Sequence, residues 1–377
     1  MTKCQATLRH LSPSVDDQPV PAYHRGRRRC NRHGWAAVTT AQVAAVQAPR
    51  DQHFIAQEES LMPVVKVTDL AYCRLQSPSL DVSEEFLTRF GLAVTSRTPD
   101  RLFMRGTDPQ ARIHITHLGS DARCLGLAFH VESEDDLKAA SKVSGASCIE
   151  NVDEPGGGKR VRLKDPMGYE VELITGMTPL AKLPTRRHVL NWGDEKLRRS
   201  GELMRLDRGP SQVKRIAHAV YMTTNAMEKV RWYRETLGLV CSDDVYAGSP
   251  DNIIASFNRC DRGETFVDHH TFLCIEGTKT GLNHISFEVQ NFDDVMLGHE
   301  HLKGANRYQH VWGIGRHVLG SQIFDYWQDP WGRVHEHWCD TDMLNSRASP
   351  NLLSAEEGLS SQWGAPAPAE FIAHATP

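Results

Sequence analysis

The chain carries the same succession of sequence segments twice, and this duplication restricts its fold more than any other feature. Residues 70–75 parallel residues 216–221, and the Asp-Pro-x-Gly segment at 165–168 parallels 329–332. Two further pairs, 127–131 with 285–289 and 135–137 with 293–295, lie between them in the same order. The offset between equivalent positions drifts from 146 residues (72 to 218) to 164 (165 to 329), as loop insertions in a duplicated domain would produce.

Each copy contains the pattern strand, helix, further strands two times. In residues 226–237 apolar side chains recur at i, i+4, i+7 and i+11, and in residues 82–90 at i, i+4 and i+8, which predicts two amphipathic helices. A glycine follows each helix, Gly91 and Gly238, where a left-handed residue commonly ends a helix. The pattern predicts an α+β fold of two duplicated domains and argues against a doubly wound parallel sheet.

A length of 377 residues allows two or three domains. We predict an N-terminal domain over 62–176, a linker over 177–212, a C-terminal domain over 213–342 and a tail over 343–377 on the surface. Residues 1–61 are rich in arginine and lack periodicity, so we predict a disordered or non-native N-terminal extension. An organelle transit peptide is the alternative, but Met62 opens the first strand-like segment, which favours an extension added by start-site choice.

Composition excludes several classes of protein. The formal net charge of -4 argues against nucleic acid as a partner, and no apolar run approaches a membrane span, so we expect no membrane partner. The nine cysteines contain no Cys-x-x-Cys pair, which disfavours a structural zinc knuckle and suits reduced thiols. We therefore expect a cytoplasmic globular protein.

The duplication provides an internal control for candidate metal ligands. The second copy has His218 where the first has Tyr72, and His284 where the first has Gly126. Both copies keep a glutamate after Asp-Pro-x-Gly, which is Glu336 in the second copy. Two imidazoles and one carboxylate are the donor set of mononuclear non-haem Fe(II) oxygenases. A metal site is therefore predicted in the C-terminal domain alone.

Other histidines lack this support from the repeat. Strand alternation should turn His335 and His337 away from the face that carries Glu336. We expect surface or structural roles for the remaining candidates, which are His114, His117, His299, His301 and His310.

Residues 62–342 resemble a known family, the type I extradiol ring-cleaving dioxygenases of the vicinal oxygen chelate superfamily. The resemblance is carried by residues 215–220, 282–289, 315–317, Tyr326 and 329–336. It implies two domains, each made of two βαβββ modules that form an open barrel around a cavity. It also implies that the metal is held by the C-terminal domain only.

The resemblance implies a role for six residues. His218, His284 and Glu336 resemble the Fe(II) ligands, and Mn(II) remains an alternative because such sites accept both ions. His270 resembles the histidine that acts as general acid–base, although a shift of one residue would assign that role to His269. His317 and Tyr326 resemble the residues that hydrogen-bond the substrate oxygens.

The implied activity is extradiol (meta) cleavage of a substituted catechol by O₂, which gives a muconic-semialdehyde-type product in aromatic catabolism. Family members are commonly homo-oligomers, so we expect one here. Two alternatives use the same fold: a glyoxalase-type metal-dependent isomerase or lyase, and a non-catalytic aromatic-binding protein. The first is disfavoured because Tyr72 and Gly126 leave the first copy without an imidazole to contribute.

Overall fold

The two sequence copies form two large β-sheets. The structure, a computed structural model, describes residues 62–377, so the prediction for residues 1–61 lies outside the described part of the chain. The first copy forms an eight-stranded sheet and the second copy a ten-stranded sheet. The predicted α+β fold of duplicated domains is confirmed.

The N-terminal sheet consists of two βαβββ modules in succession. The first contains β1 (Val67–Ser77), α1 (Leu80–Phe90), β2 (Ala93–Arg97), β3 (Arg101–Arg105) and β4 (His114–Leu118). The second contains β5 (Arg123–Val131), α2 (Glu134–Ala140), β6 (Glu150–Asn151), β7 (Lys159–Lys164) and β8 (Glu170–Thr175). The strand order is β2-β3-β4-β1-β5-β8-β7-β6. The two modules therefore meet at β1 and β5, which lie at the centre of the sheet.

The C-terminal sheet repeats this plan with additions. Its first module contains β9 (Val213–Thr223), α3 (Ala226–Leu237), β10 (Leu239–Tyr246), β11 (Ile253–Cys260), the short β12 (Val267–Asp268) and β13 (Phe272–Glu276). Its second contains β14 (Gly281–Val289), α4 (Phe292–Gly304), β15 (His310–His317), β16 (Ile323–Gln328) and β17 (Val334–Cys339). The tail adds β18 (Met343–Leu344), β19 (Asn351–Ser354), α5 (Ala355–Gly358), β20 (Ser361–Trp363) and α6 (Ala369–Ile372).

The central strands of the two sheets match in direction and register. In the C-terminal sheet β14 pairs antiparallel with β9 and parallel with β17, as β5 pairs antiparallel with β1 and parallel with β8. The full order is β19-β10-β11-β13-β9-β14-β17-β16-β15-β20, so β19 and β20 extend the duplicated core at its two edges. Residues aligned from sequence therefore occupy equivalent places in the two sheets.

The helix ends follow the expected chemistry. The Ser79 hydroxyl accepts a hydrogen bond from the backbone N–H of Val82 at the start of α1. Gly91 after α1 has a φ of 114° and Gly238 after α3 has a φ of 69°. Both glycines thus end their helices in the left-handed conformation, as predicted.

The face of β17 that lies opposite Glu336 packs into the core. His337 stacks on Phe90 of α1 with ring centroids 3.7 Å apart, and its Nε2 lies 2.6 Å from the Phe90 carbonyl oxygen. His335 packs beside Phe287 in the same layer. The side chains of His335 and His337 therefore face away from Glu336, as alternation along the strand predicts.

The predicted linker and tail both contact the C-terminal domain. Between residues 177 and 212 the chain forms no helix or strand beyond an isolated bridge, and Arg186 Nη1 lies 2.7 Å from Asp294 Oδ1 of α4. The tail was expected on the surface, yet Phe371 is only 7% exposed because its ring packs against Tyr326. None of the helices in residues 62–377 has the length and apolarity needed to span a membrane.

Candidate metal centre

Three neighbouring strands in the middle of the C-terminal sheet bring the predicted ligands together. Ser286 of β14 is paired laterally with both His218 of β9 and Glu336 of β17, so these two residues flank it in one row. His284 precedes Ser286 by two residues and lies on the same face of β14. His218 Nε2 is 3.0 Å and His284 Nε2 3.5 Å from Glu336 Oε2.

Three donor atoms of this group are buried and lack partners. Neither oxygen of Glu336 has a hydrogen bond of good geometry within the described residues, and neither has Nε2 of His284. Buried polar atoms in folded proteins are nearly always paired, so three such atoms facing one another need an explanation. Ligands at right angles around a divalent ion with bonds of about 2.1 Å lie about 3 Å apart, which matches the observed separations. The donor set therefore fits a divalent metal ion.

The electrostatics keep the side chains in their metal-binding forms. Burial raises the pKa of Glu336, but the nearby His218, His317 and His284 outweigh burial and hold it well below the usual value. Burial also lowers the pKa of His284 to about 3. At neutral pH the site thus contains a carboxylate anion and a neutral imidazole, as metal coordination requires.

A bond network that the sequence did not reveal orients His284. Asn283 Oδ1 lies 2.7 Å from His284 Nδ1 and accepts a hydrogen bond from it, which leaves the lone pair of Nε2 facing Glu336. Asn283 Nδ2 in turn donates to the carbonyl oxygens of Phe371 and His374. Metal-binding histidines commonly carry such a partner on their other nitrogen. The position of Asn283 next to His284 was its only signal in the sequence.

Of the two adjacent histidines, His270 is the one beside the ligand group. The His270 ring centroid is 4.1 Å from that of His218. His269 turns toward Asp243, and its Nε2 lies 2.6 Å from Asp243 Oδ2. Burial, followed by the neighbouring His218 and His269, lowers the pKa of His270 well below the usual value.

His317 and Tyr326 also lie beside the ligand group. His317 Nε2 lies 2.9 Å from the Tyr326 hydroxyl and 3.7 Å from Glu336 Oε1. The Tyr326 ring packs edge-on against His284 at 5.1 Å. Burial and the nearby Glu336 raise the pKa of Tyr326 well above the usual value, so its hydroxyl stays protonated. All six predicted site residues therefore converge within one region of the C-terminal sheet.

Aromatic side chains form a wall beside this region. Trp312 stacks on Tyr326 at 5.4 Å with nearly parallel rings, and Phe324 packs against the rings of Trp312 and His317. Phe371 packs on the Tyr326 ring at 4.7 Å. Sequence analysis identified none of these three aromatics. Phe371 had no local signal because it lies far from the other site residues in the sequence.

A second cluster of metal-binding side chains lies elsewhere in the C-terminal sheet. His299 and His310, expected to be surface or structural residues, converge on the buried Asp325. His310 Nε2 is 2.8 Å from Asp325 Oδ1, and Trp327 Nε1 donates to Asp325 Oδ2 at 2.6 Å. His299 Nδ1 is also within hydrogen-bonding distance of this carboxylate. Both oxygens of Asp325 are thus satisfied, unlike those of Glu336, and the cluster fits a structural role.

Comparison with known proteins identifies relatives over most of the chain. No protein-family model matches it. Metapyrocatechase 2 from Cupriavidus necator is 30% identical over 324 residues, which cover 84% of this chain and 95% of that protein. An iron-dependent extradiol dioxygenase from Rhodococcus jostii is 24% identical, covering 80% and 97% of the two chains. A manganese-dependent 2,3-dihydroxybiphenyl 1,2-dioxygenase from Geobacillus genomosp. 3 is 23% identical, covering 70% and 82%.

Solved structures share the fold at lower sequence identity. Homoprotocatechuate 2,3-dioxygenase from Brevibacterium fuscum, in complex with 3,4-dihydroxyphenylacetate, matches with a TM-score of 0.68 at 17% identity. The match covers 83% of this chain and 94% of that one. A Mn(II)-bound glyoxalase from Novosphingobium aromaticivorans matches with a TM-score of 0.66 at 21% identity, covering 83% and 96%.

The fold and the donor set together define a metal-binding enzyme with the vicinal oxygen chelate architecture. Within that superfamily the chain belongs to the type I extradiol ring-cleaving dioxygenases, because it is 30% identical to metapyrocatechase 2 over 95% of the length of that protein.

Proposed function

We propose that the protein opens the ring of a substituted catechol with O₂, at the carbon–carbon bond just outside the two hydroxyls. The observation that supports this most strongly is the buried, unpartnered carboxylate of Glu336 facing His218 and His284. The expected product is a muconic-semialdehyde-type compound, and the expected setting is aromatic catabolism in the cytoplasm. That the enzyme is a homo-oligomer stays a prediction.

His218, His284 and Glu336 would hold one divalent metal ion. Two imidazoles and a carboxylate with free positions favour Fe(II), and Mn(II) suits the same donors. One relative is named as iron-dependent and another as manganese-dependent, so either ion is compatible with this group of proteins. When bound, the metal supplies positive charge that eases deprotonation of the catechol and holds both reactants in one place.

His270 is the proposed general acid–base. Because burial favours its neutral form, it can accept the proton of a catechol hydroxyl at neutral pH and return it later. Its ring lies against His218, so a substrate oxygen near the ligand group would be within its reach.

Tyr326 and His317 are proposed to orient the substrate oxygens. Their side chains already share a hydrogen bond of 2.9 Å, and a substrate oxygen could replace either partner. The protonated Tyr326 hydroxyl can donate to a catechol oxygen and so direct the ring. The aromatic wall of Trp312, Phe324 and Phe371 would pack against the substrate ring and exclude water.

The experiment is anaerobic reconstitution of the full chain with Fe(II), followed by addition of catechol or 3-methylcatechol in air. We expect a yellow ring-fission product together with uptake of O₂. Parallel samples with Mn(II) identify the preferred metal. His218→Gln should abolish both signals, and His301→Gln, a histidine on α4 outside the site, is the matched control that should keep them.

The alternatives predict different outcomes of the same experiment. Metal bound at one ion per chain, without product or O₂ uptake from any catechol in a panel, would favour the glyoxalase-type isomerase. Tight catechol binding that survives removal of the metal would favour a non-catalytic aromatic-binding protein.

A further inference from the structure

We propose that Asp243 and His269 form a hydrogen-bonded relay that fixes which nitrogen of His270 carries a proton. The relay rests on the proposed role of His270 as acid–base and adds two positioning residues to it. Neither Asp243 nor His269 is needed to hold the metal, since neither belongs to the group of His218, His284 and Glu336.

The relay is continuous and buried. Asp243 Oδ2 of β10 lies 2.6 Å from His269 Nε2, and His269 Nδ1 lies 3.1 Å from His270 Nδ1. All three residues are only 3% exposed, so water does not compete for these bonds. Beyond His270 the next ring is that of His218, at 4.1 Å between centroids.

Asp243, at the end of the relay farthest from His270, determines which groups donate and which accept the hydrogen bonds. Asp243 Oδ1 accepts two bonds from Asn351 of β19, one from its backbone N–H at 3.0 Å and one from Nδ2 at 2.7 Å. Burial raises the pKa of Asp243, but the bonds from His269 and Asn351 outweigh burial and keep the group ionised. An ionised carboxylate only accepts hydrogen bonds, so His269 must donate from Nε2.

The proton positions then follow along the chain of bonds. The hydrogen bond between the two Nδ1 atoms needs one donor and one acceptor, and in our proposal His269 is the acceptor, because an imidazole that carries its single proton at Nε2 has a lone pair at Nδ1. His270 must therefore donate from its own Nδ1, which leaves the lone pair of His270 at Nε2. That nitrogen is the one able to receive a proton from the substrate.

The carboxylate at the far end of the relay thus sets the proton positions of both imidazole rings. The arrangement follows the logic of the Asp–His pair in serine proteases, where the carboxylate sets the tautomer of the catalytic imidazole.

The first test reads the tautomers directly. ¹⁵N-labelled histidine in the full-length, Zn(II)-loaded protein, which is diamagnetic, allows NMR to show which ring nitrogen carries a proton. We expect a proton on Nε2 of His269 and on Nδ1 of His270, with the signals assigned by their loss in His269→Gln and His270→Gln. A proton on Nε2 of neutral His270 in the wild type would overturn the proposal.

The second test reverses the relay with Asp243→Asn in the Fe(II) enzyme. The remaining oxygen still accepts from Asn351, so the new amide N–H₂ faces His269 and forces both histidines into the opposite tautomers. We expect kcat to fall about 100-fold, while KM and metal content stay within a factor of two. The neighbouring Asp244→Asn is the matched control, because Asp244 contacts Arg234 and Cys241 rather than a histidine.

The outcomes separate the relay from the proposed function. Unchanged kcat and unchanged tautomers in a folded Asp243→Asn would overturn the relay. If the wild type cleaves no catechol, the proposed function fails, yet the NMR measurement still tests the relay. If Asp243→Asn does not fold, the wild-type tautomers decide, and Asp243→Glu, which can still accept from His269, should retain them.

Discussion

An equivalent row of three residues lies across the central strands of each sheet and ends in a glutamate. The two domains differ in what balances the negative charge of that glutamate. The pairing register aligns the rows Tyr72, Ala128, Glu172 and His218, Ser286, Glu336. Both rows end in a fully or almost fully buried glutamate. The difference lies in what surrounds each glutamate.

In the N-terminal domain the protein supplies its own cations. The Tyr72 hydroxyl donates to Glu172 at 2.5 Å, Arg74 binds both oxygens of Glu172, and Arg160 lies 3.2 Å away. Burial raises the pKa of Glu172, but the charge of Arg74 and its hydrogen bonds outweigh burial and bring it to about 2. Glu172 is therefore paired by a salt-bridge network within its own domain.

The N-terminal domain also has no room for the second imidazole. Gly126 takes the place of His284, and a Cβ atom at Gly126 would lie 1.9 Å from the backbone oxygen of Glu170. Backbone atoms cannot move away as a flexible side chain could. The comparison shows that the same fold can hold either a buried carboxylate paired with the protein's own arginines or a buried carboxylate that depends on a bound cation.

The largest expected effect comes from changing the carboxylate that lacks an internal cation. Glu336→Gln should reduce metal affinity by more than the 10–100-fold that losing a supporting hydrogen bond costs, and turnover should disappear with the metal. Metal content per folded chain, measured by elemental analysis, is the readout. Glu172→Gln is the matched change in the other domain and should leave metal content unchanged; loss of metal there would break the comparison.

The next effect concerns the salt-bridge network of the N-terminal domain. Arg74→Met leaves two buried carboxylates, Glu172 and Glu154, short of a partner, so the free energy of unfolding should fall by about 3–5 kcal/mol. Urea unfolding measures this. Arg97→Met removes exposed ion pairs and should cost under about 1 kcal/mol. Equal losses in the two variants would contradict the assigned role of Arg74.

Acid should weaken the same network. A glutamate whose pKa falls from 4.5 to about 2 on folding contributes on the order of 3 kcal/mol of stability above pH 5. That contribution is lost as the pH falls through the folded-state pKa, because Glu172 then becomes protonated. The stability difference between metal-free wild type and Glu172→Gln should therefore shrink between pH 6 and pH 2.5 in urea titrations. A constant difference would contradict the assignment.

A smaller effect is expected from removing the hydrogen bond that orients His284. The N-terminal domain has no counterpart of this bond, because Gly126 stands in the place of His284. Asn283→Ala should weaken metal binding by about 10–100-fold, because His284 loses the bond that orients its ring. Ending the chain at Ala367 should have a similar effect, since Phe371 and His374 hold Asn283. Competition with a chelator measures the affinity. Asn252→Ala, in an exposed turn, is the control that should bind metal normally.

The smallest effect should come from the aromatic that the tail adds to the C-terminal domain. Phe371→Ala removes the ring that packs on Tyr326, and kcat/KM should change by about two- to tenfold, with a different factor for one-ringed and two-ringed catechols. Steady-state kinetics with both substrates measure this. Phe266→Ala removes an exposed ring and should change neither value.

The structure agrees with sequence reasoning where that reasoning used local patterns. The duplication and the helix periodicity predicted modules of a strand, a helix and further strands, whose βαβββ form was implied by the family resemblance. Alternation along β17 predicted that His335 and His337 face away from Glu336. Local patterns could not decide whether His269 or His270 lies beside the ligand group. The two are adjacent in sequence, and only the packing of Asp243 against one and His218 against the other distinguishes them.

The sequence by itself determined the modules, their duplication and the strand positions of the candidate ligands, because repeated segments and periodicity along single elements can both be seen in the sequence. The tertiary structure alone decided which polar groups meet. Asn351 reaches Asp243 across 108 residues, and Phe371 reaches the Asn283 amide across 88. Such partners leave no local pattern, since each residue bonds to a group brought near only after the sheet and the tail have packed.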